Sequence, residues 1–502
     1  MNVERLRSSR LLCALLIAFY LTSSSLAASA YGSGGSHSGN GTAPGQDASP
    51  PISTVAVNQS SAYPLGVAAD RSGNVWFAED NLDALAVYSP SNATMKTFPI
   101  PTPHHLAWIW FMIFDGNGSL WFSDASQQLL WRFDPATGAF ANYTAGTAYP
   151  MVLHYDQQRN RMWFTSLTTS QVGYFDIAGE SAVLDRVVNL SSSVTGSGVA
   201  GITVDSAGNA YVAEALQAKI VELDGNTLSI IRTWELTPGS QPVGLALDPA
   251  RGRLWFTDHA SSFFGYVELD SAGFVEYPTS LLFTGGEYAF TLPYWITVSS
   301  SGDVWFNEHI ANRIGRFDPA TLQLTEFNIP TNSSSPLMIS VDDRTGQVWF
   351  TEFAGNALGE VDENSTLGVS VSDSIAAGTA APTISFTSTP NPAPAAPPTV
   401  SITGESTGEP GPAFGATASA QESAFLVSVT ANRAGPGNYT AAVCYQYAYV
   451  NQCGYLMLVV PPPGSSLPLL YSVYAATGVG VVVLVLALLR ETRSARRRPR
   501  TA

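Results

Sequence analysis

The sequence predicts an all-β fold: a seven-bladed β-propeller followed by a small β-sandwich-like stalk and one C-terminal transmembrane helix. Three observations carry this. A Trp-Phe motif recurs seven times at intervals of 42 to 50 residues, four short strand-like runs fill each interval, and one charge-free apolar run lies near the C-terminus.

The motif occupies Val75–Glu79, Leu120–Asp124, Met162–Ser166, Ala210–Glu214, Leu254–Asp258, Val304–Glu308 and Val348–Glu352, with Tyr211 in place of Trp in the fourth copy. Each unit opens with a short apolar strand such as Leu65–Ala69. It then turns through an Asp/Gly segment such as Asp70–Asn74 and enters the Trp-Phe strand. Two further strands follow, as in Arg313–Pro319 and Leu324–Pro330. Adjacent Trp and Phe point to opposite faces of a strand, so both faces of each sheet must be buried. Sheets that pack face to face around an axis satisfy this, and such a four-stranded meander is a propeller blade. The seventh unit has three clear strands, ending at Asp362. Its fourth strand is expected from the N-terminus (Ile52–Asn58) rather than from Leu367–Ser372, because the N-terminal strand has no other partner.

Arg5, Arg7 and Arg10 precede an apolar run, Leu11–Leu21, and an Ala28-Ser29-Ala30 site, which predicts a signal peptide over 1–30. Residues 31–51 are a Gly/Ser-rich flexible leader, 52–365 the propeller and 366–463 an Ig-like β spacer with a Pro-rich stretch. Residues 467–489 are apolar and long enough to span about 30 Å of hydrocarbon. Arg490, Arg493, Arg496, Arg497, Arg498 and Arg500 follow, so the 490–502 tail is expected in the cytoplasm and the rest outside the cell membrane.

The net charge of −16 includes +2 in the signal segment and +5 in the tail, leaving −23 between them. An acidic exterior repels phosphate backbones, which excludes nucleic acid as a partner class. Cys444 and Cys453 fall in a strand–turn–strand stretch and are expected to form a disulfide outside the cell. Sequons at Asn40, Asn58, Asn92, Asn117, Asn142, Asn189, Asn332, Asn364 and Asn438 predict a glycosylated surface in a host that glycosylates.

The unit carried by Pro242–Asp248, Trp255-Phe256-Thr257-Asp258, Trp305-Phe306-Asn307-Glu308 and Arg313–Pro319 resembles the streptogramin lyase (virginiamycin B lyase) family and related NHL-type propellers. The resemblance covers roughly 60–362. It implies a metal-dependent carbon–oxygen lyase, with a divalent cation such as Mg²⁺, that opens a cyclic ester by elimination. Family enzymes often carry a histidine between the Pro and Gly of the first strand. Here that column reads Leu65, Trp110, Met151, Ala200, Val243, Tyr294 and Leu337, and the next reads Gly66, Phe111, Val152, Gly201, Gly244, Trp295 and Met338. Neither column holds a histidine, and the channel end is expected to be apolar and aromatic.

An acid follows Trp-Phe-x in six of the seven units: Glu79, Asp124, Glu214, Asp258, Glu308 and Glu352. A ring of acids suits a cation, but a residue repeated in nearly every unit more simply accepts turn N–H bonds. Departures from the repeat therefore matter most. Asp258-His259 and Glu308-His309 stand at equivalent places in neighbouring units, with His259 and His309 as acid/base candidates and Asp258 and Glu308 as metal candidates. The competing reading is a pair of solvent-facing loop histidines. His104-His105, Trp108 and Trp110 break the pattern in unit 2. Trp108, Trp110, Tyr294 and Trp295 are the candidate ligand platform, or else core packing. Three functions follow in order: a surface module that binds an extracellular ligand or protein, a metal-dependent lyase or lactonase-like hydrolase, and a structural envelope protein.

Overall fold

The computed structural model describes residues 51–472 apart from short internal segments, the longest being 191–197, 363–369, 375–382, 403–413 and 461–469. Within it, seven four-stranded antiparallel repeats follow the Trp-Phe motif, at 64–99, 112–144, 152–189, 199–235, 242–278, 293–328 and 336–362. The last is completed by Ile52–Ala56, which pairs with Ala357–Asp362 from Ile52↔Val361 to Ala56↔Ala357. The N-terminal strand therefore closes the ring, as its lack of another partner predicts. The first strands follow one another around the axis, and that of repeat 7 lies against that of repeat 1.

The expectation of seven blades is corrected to six free-standing ones. Six repeats form separate four-stranded blades, whereas repeat 6 is one half of an eight-stranded sheet. Its outer strand, Gln323–Asn328, pairs antiparallel with Val450–Val460, and the sheet continues through Gly437–Gln446 to Thr399–Ile402. An outer strand presents an unpaired backbone edge, and pairing satisfies it. This outer strand is also the one suited to burial: Leu324, Glu326 and Phe327 are buried, whereas Thr94–Pro99 in repeat 1 alternates between exposed and half-buried residues.

The motif residues form the core between blades. Trp121, Trp163, Trp255, Trp305 and Trp349 are fully buried. The Asp of the preceding turn accepts the indole N–H, with Asp70–Trp76 at 3.0 Å and Asp115–Trp121 at 2.9 Å. In repeat 4 the Tyr211 hydroxyl donates to Asp205 instead. Repeat 6 has Ser299 at the turn, and Trp305 Nε1 is buried without a hydrogen-bond partner.

The stalk is a sandwich, but not a spacer held away from the propeller. One of its sheets runs Ser370–Ser374, Thr383–Asn391, Ala424–Ala431, Phe414–Gln421, and the other is the far half of the eight-stranded sheet. Between them lie Phe414, Val427, Val429, Val443, Tyr445, Leu456 and Leu458. The opposite face packs on repeats 5 and 6. Tyr455 stands edge-on to Tyr277 at 5.1 Å and donates to the Pro278 carbonyl, and Ser401 donates to the Thr279 carbonyl. Cys444 and Cys453 sit opposite each other in this sheet and are disulfide-bonded.

Leu470–Ser472, inside the predicted membrane span, form a short strand on Val450–Val460. Among the described residues no helix is long and apolar enough to cross a membrane. Residues 473–489, the cytoplasmic tail and the N-terminal 50 residues lie outside the described residues.

Candidate binding site at the channel end

The site begins with the residue after Trp-Phe. In five repeats it is Ser123, Thr165, Thr257, Asn307 or Thr351, and each reaches across to the next repeat. Thr257 accepts the Gly244 N–H at 3.0 Å and donates to the Tyr294 carbonyl. Asn307 accepts the Trp295 N–H at 2.8 Å and donates to the Pro336 carbonyl. These pins hold first strands side by side and fix the backbone that carries Tyr294 and Trp295. Gly244 lets the two strands close up: a Cβ there would lie 2.8 Å from the Tyr294 carbonyl oxygen.

The rings then meet across the axis. Trp110 of repeat 2 lies 6.4 Å from Tyr294 of repeat 6, and Phe111 lies 4.9 Å from Trp295, both tilted. Repeats 2 and 6 are not neighbours, so these contacts plug the channel end. Leu65, Ala200, Val243, Leu337 and Met338 join the same buried cluster. Tyr294 and Trp295 are buried, whereas Trp110, Phe111 and Met151 remain half-buried. Trp108 is also half-buried; its carbonyl accepts the Ala125 N–H, and the structure places no ring of the cluster against it. His104 and His105 lie outside the described residues.

His259 and His309 open the loops after the second strands of repeats 5 and 6. They are not solvent-facing: each is only 6 % exposed. Their rings stack at 4.9 Å and 11°, with His259 Nε2 3.2 Å from His309 Nδ1. Tyr294 stands edge-on to His259 at 5.0 Å. Burial holds both imidazoles below their ordinary pKa, with His309 at about 4 and His259 lowered further by its neighbour, so both are neutral at pH 7.

The adjacent acids point elsewhere. Asp258 accepts the Gln241 N–H at 2.7 Å, the Ala260 N–H at 3.0 Å and the Ser261 hydroxyl at 2.8 Å. Glu308 is fully buried beside Glu326, and burial and that second carboxyl raise its pKa well above the usual range. Glu326 itself is held by Ser280, Arg313 and Asn451 of the sandwich. Asp124 likewise accepts Ser126 and Gln127 at its own turn. The recurring acid therefore serves loop structure in the repeats where its partners are seen. Among the described residues no three or more His, Cys, Asp or Glu side chains gather to hold a metal ion. The Asp258/Glu308 pair does not fit the hard, oxygen-ligated cation that the lyase resemblance implies.

Phe111 and the cross-repeat pins are the components that sequence reasoning did not select. Phe111 stood beside Trp110 in the aligned columns, and the pins were visible as the Thr/Ser/Asn preference after Trp-Phe.

The fold and this site define a β-propeller whose channel is closed at one end by a ring cluster drawn from non-adjacent repeats. Residues 50–281 match the Virginiamycin B lyase family, and over that stretch the chain is virginiamycin B lyase-like. Virginiamycin B lyase from Staphylococcus aureus is similar in fold, with 21 % identity, a TM-score of 0.54, and coverage of 62 % of this chain and 98 % of that one. A streptogramin B lyase structure is similar at 22 % identity and a TM-score of 0.53, covering 62 % of this chain and 96 % of that one. A third structure, at 20 % identity and a TM-score of 0.53, covers 62 % of this chain and 98 % of that one. It is a catalytically inactive histidine-to-alanine variant of the S. aureus lyase with quinupristin. No curated protein matches the sequence significantly.

Proposed function

We propose that the chain is a cell-surface binding module: an exported propeller, anchored by one C-terminal span with the propeller outside, that recognises a ligand or protein at its aromatic channel end. The cluster of Trp110, Tyr294, His259 and His309 carries this reading. Half-buried Trp110 and Phe111 offer apolar faces, with the buried imidazole pair against Tyr294 of the same cluster. Burial makes both histidines weaker bases than free imidazole, Asp258 is committed to its own loop, and burial beside Glu326 favours the protonated form of Glu308. These facts favour recognition over proton abstraction.

The anchor rests on the sequence: a signal-like N-terminus, the apolar run and six terminal arginines. With Leu470–Ser472 in a strand, residues 473–489 leave 17 for the span, at the short end of the roughly 17–25 that a helix needs. Protease treatment of intact cells should digest the propeller and leave the tail protected. Digestion of the tail alone would contradict this orientation.

The family match favours a second reading, a metal-dependent carbon–oxygen lyase. The two separate in one experiment with a streptogramin B-type cyclic depsipeptide, followed by calorimetry and chromatography. Elimination opens the ring to an isomer of equal mass carrying a new C=C bond, so the assay must resolve isomers. Heat of binding with the ring recovered intact supports the module. Accumulation of the opened isomer supports the lyase, and no heat contradicts recognition of this ligand class.

A further inference from the structure

We propose that His259 and His309 form a two-imidazole chelate for a borderline transition-metal ion of the zinc, nickel or copper type. The inference rests on the channel-end site described above but not on the identity of its organic ligand.

The facing nitrogens, Nε2 of His259 and Nδ1 of His309, are 3.2 Å apart. Zinc–imidazole bonds are about 2.0–2.1 Å, and two of them meeting near the tetrahedral angle hold their nitrogens roughly 3.2–3.4 Å apart. The observed separation therefore suits a shared ion as well as a shared hydrogen. Without the ion, one facing nitrogen carries the hydrogen bonded to the other. When the ion enters, that hydrogen moves to the far nitrogen of its own ring, and both lone pairs face the metal. No net proton is released in this exchange.

The loops hold the rings ready. His259 N–H donates to the Gln241 carbonyl at 2.9 Å, His309 N–H donates to the Leu292 carbonyl at 3.3 Å, and Asp258 clamps the first loop through three bonds. The ligand set also predicts selectivity. Imidazole nitrogen suits zinc, nickel and copper, whereas magnesium and calcium require oxygen ligands. No third His, Cys, Asp or Glu joins the pair among the described residues, so water or a bound molecule completes the coordination. An ion with open positions at the end of a propeller channel can hold a ligand's oxygen or nitrogen donor.

The test uses the full-length chain, stripped with chelator and dialysed against Zn²⁺, Ni²⁺, Cu²⁺, Mg²⁺ or Ca²⁺. About one ion of the first three per chain is expected, with a matching rise in melting temperature, and none of Mg²⁺ or Ca²⁺. H259A and H309A should each lower affinity at least tenfold, while H104A/H105A should leave it unchanged. Should the alanine variants fail to fold, copper electron paramagnetic resonance of the parent chain gives the answer directly. Two imidazole nitrogens on the copper are expected. No uptake, uptake that survives H259A/H309A but is lost in H104A/H105A, or a copper spectrum without two imidazoles would each overturn the proposal. None of these results depends on whether a depsipeptide binds, so this inference and the binding-module reading can fail separately.

Discussion

At the residue scale, the hydroxyl that follows Trp-Phe in four repeats carries unexpected weight. Thr257 satisfies the Gly244 N–H and the Tyr294 carbonyl, both between packed strands. Thr257→Val keeps the shape and leaves both groups unpaired, which should cost about 1–3 kcal/mol and lower the melting temperature. An unchanged melting temperature would remove the pin from the account. Titration belongs to this scale too. Burial raises the Glu276 carboxyl to about 7, so the folded state holds its proton where the unfolded chain, near 4.5, has lost it. That group's contribution is present below about 4.5 and is lost as pH rises through 7. Glu276→Gln should therefore gain stability relative to the parent at pH 8 compared with pH 5, as denaturant unfolding at the two pH values would show. The histidines run the opposite way. Their pKa values are depressed, so their stabilising contribution is full above 6.5 and falls as pH drops below it, for His309 toward about 4.

At the element scale, the third strand of four repeats places a glycine under the motif phenylalanine. Gly173, Gly265, Gly315 and Gly359 pair with Phe164, Phe256, Phe306 and Phe350. A Cβ on Gly315 would lie 2.5 Å from the Phe306 ring, and the matching gap at Gly359 is 2.0 Å. Gly315→Ala should thus cost about 1–3 kcal/mol by overpacking, measurable as an earlier unfolding midpoint at unchanged m-value. The glycine was legible in the sequence as part of Arg313–Pro319, but its purpose was not, since cross-strand register is needed to set ring over glycine. The strands, the Trp-Phe core and the N-terminal closing strand were likewise legible, because alternation and spacing are local signals. The facing histidines were half legible. His259 and His309 stood out as departures from the repeat, but loops 50 residues apart are brought together only by blade-on-blade packing. The acids beside them misled, because an acid in a repeated turn and an acid at a metal look identical in one dimension.

At the scale of the whole molecule, the propeller and sandwich share one sheet, and one face of the sandwich joins the core of repeats 5 and 6. The pairing of Gln323–Asn328 with Val450–Val460 joins segments more than 120 residues apart, which no periodicity announces. Glu326, buried in repeat 6, accepts bonds from Arg313, Ser280 and the sandwich residue Asn451. Propeller and sandwich should therefore unfold in a single calorimetric transition with equal calorimetric and van't Hoff enthalpies. Two separated transitions would make the sandwich an independently folding spacer. The arginines support the same unity around the ring: Arg71, Arg159, Arg251 and Arg344 each reach a backbone carbonyl of the next repeat.

The central claim is that the channel end is a closed ring cluster in which two neutral imidazoles face each other. Nitrogen-15 NMR of histidine-labelled, metal-free protein, assigned with H259Q and H309Q, tests it most directly. The account predicts two rings that stay neutral at pH 5.5 and share an N–H···N contact, whose signal disappears when either ring is replaced. Two rings titrating independently near 6.5 would place both histidines in solvent and contradict the site.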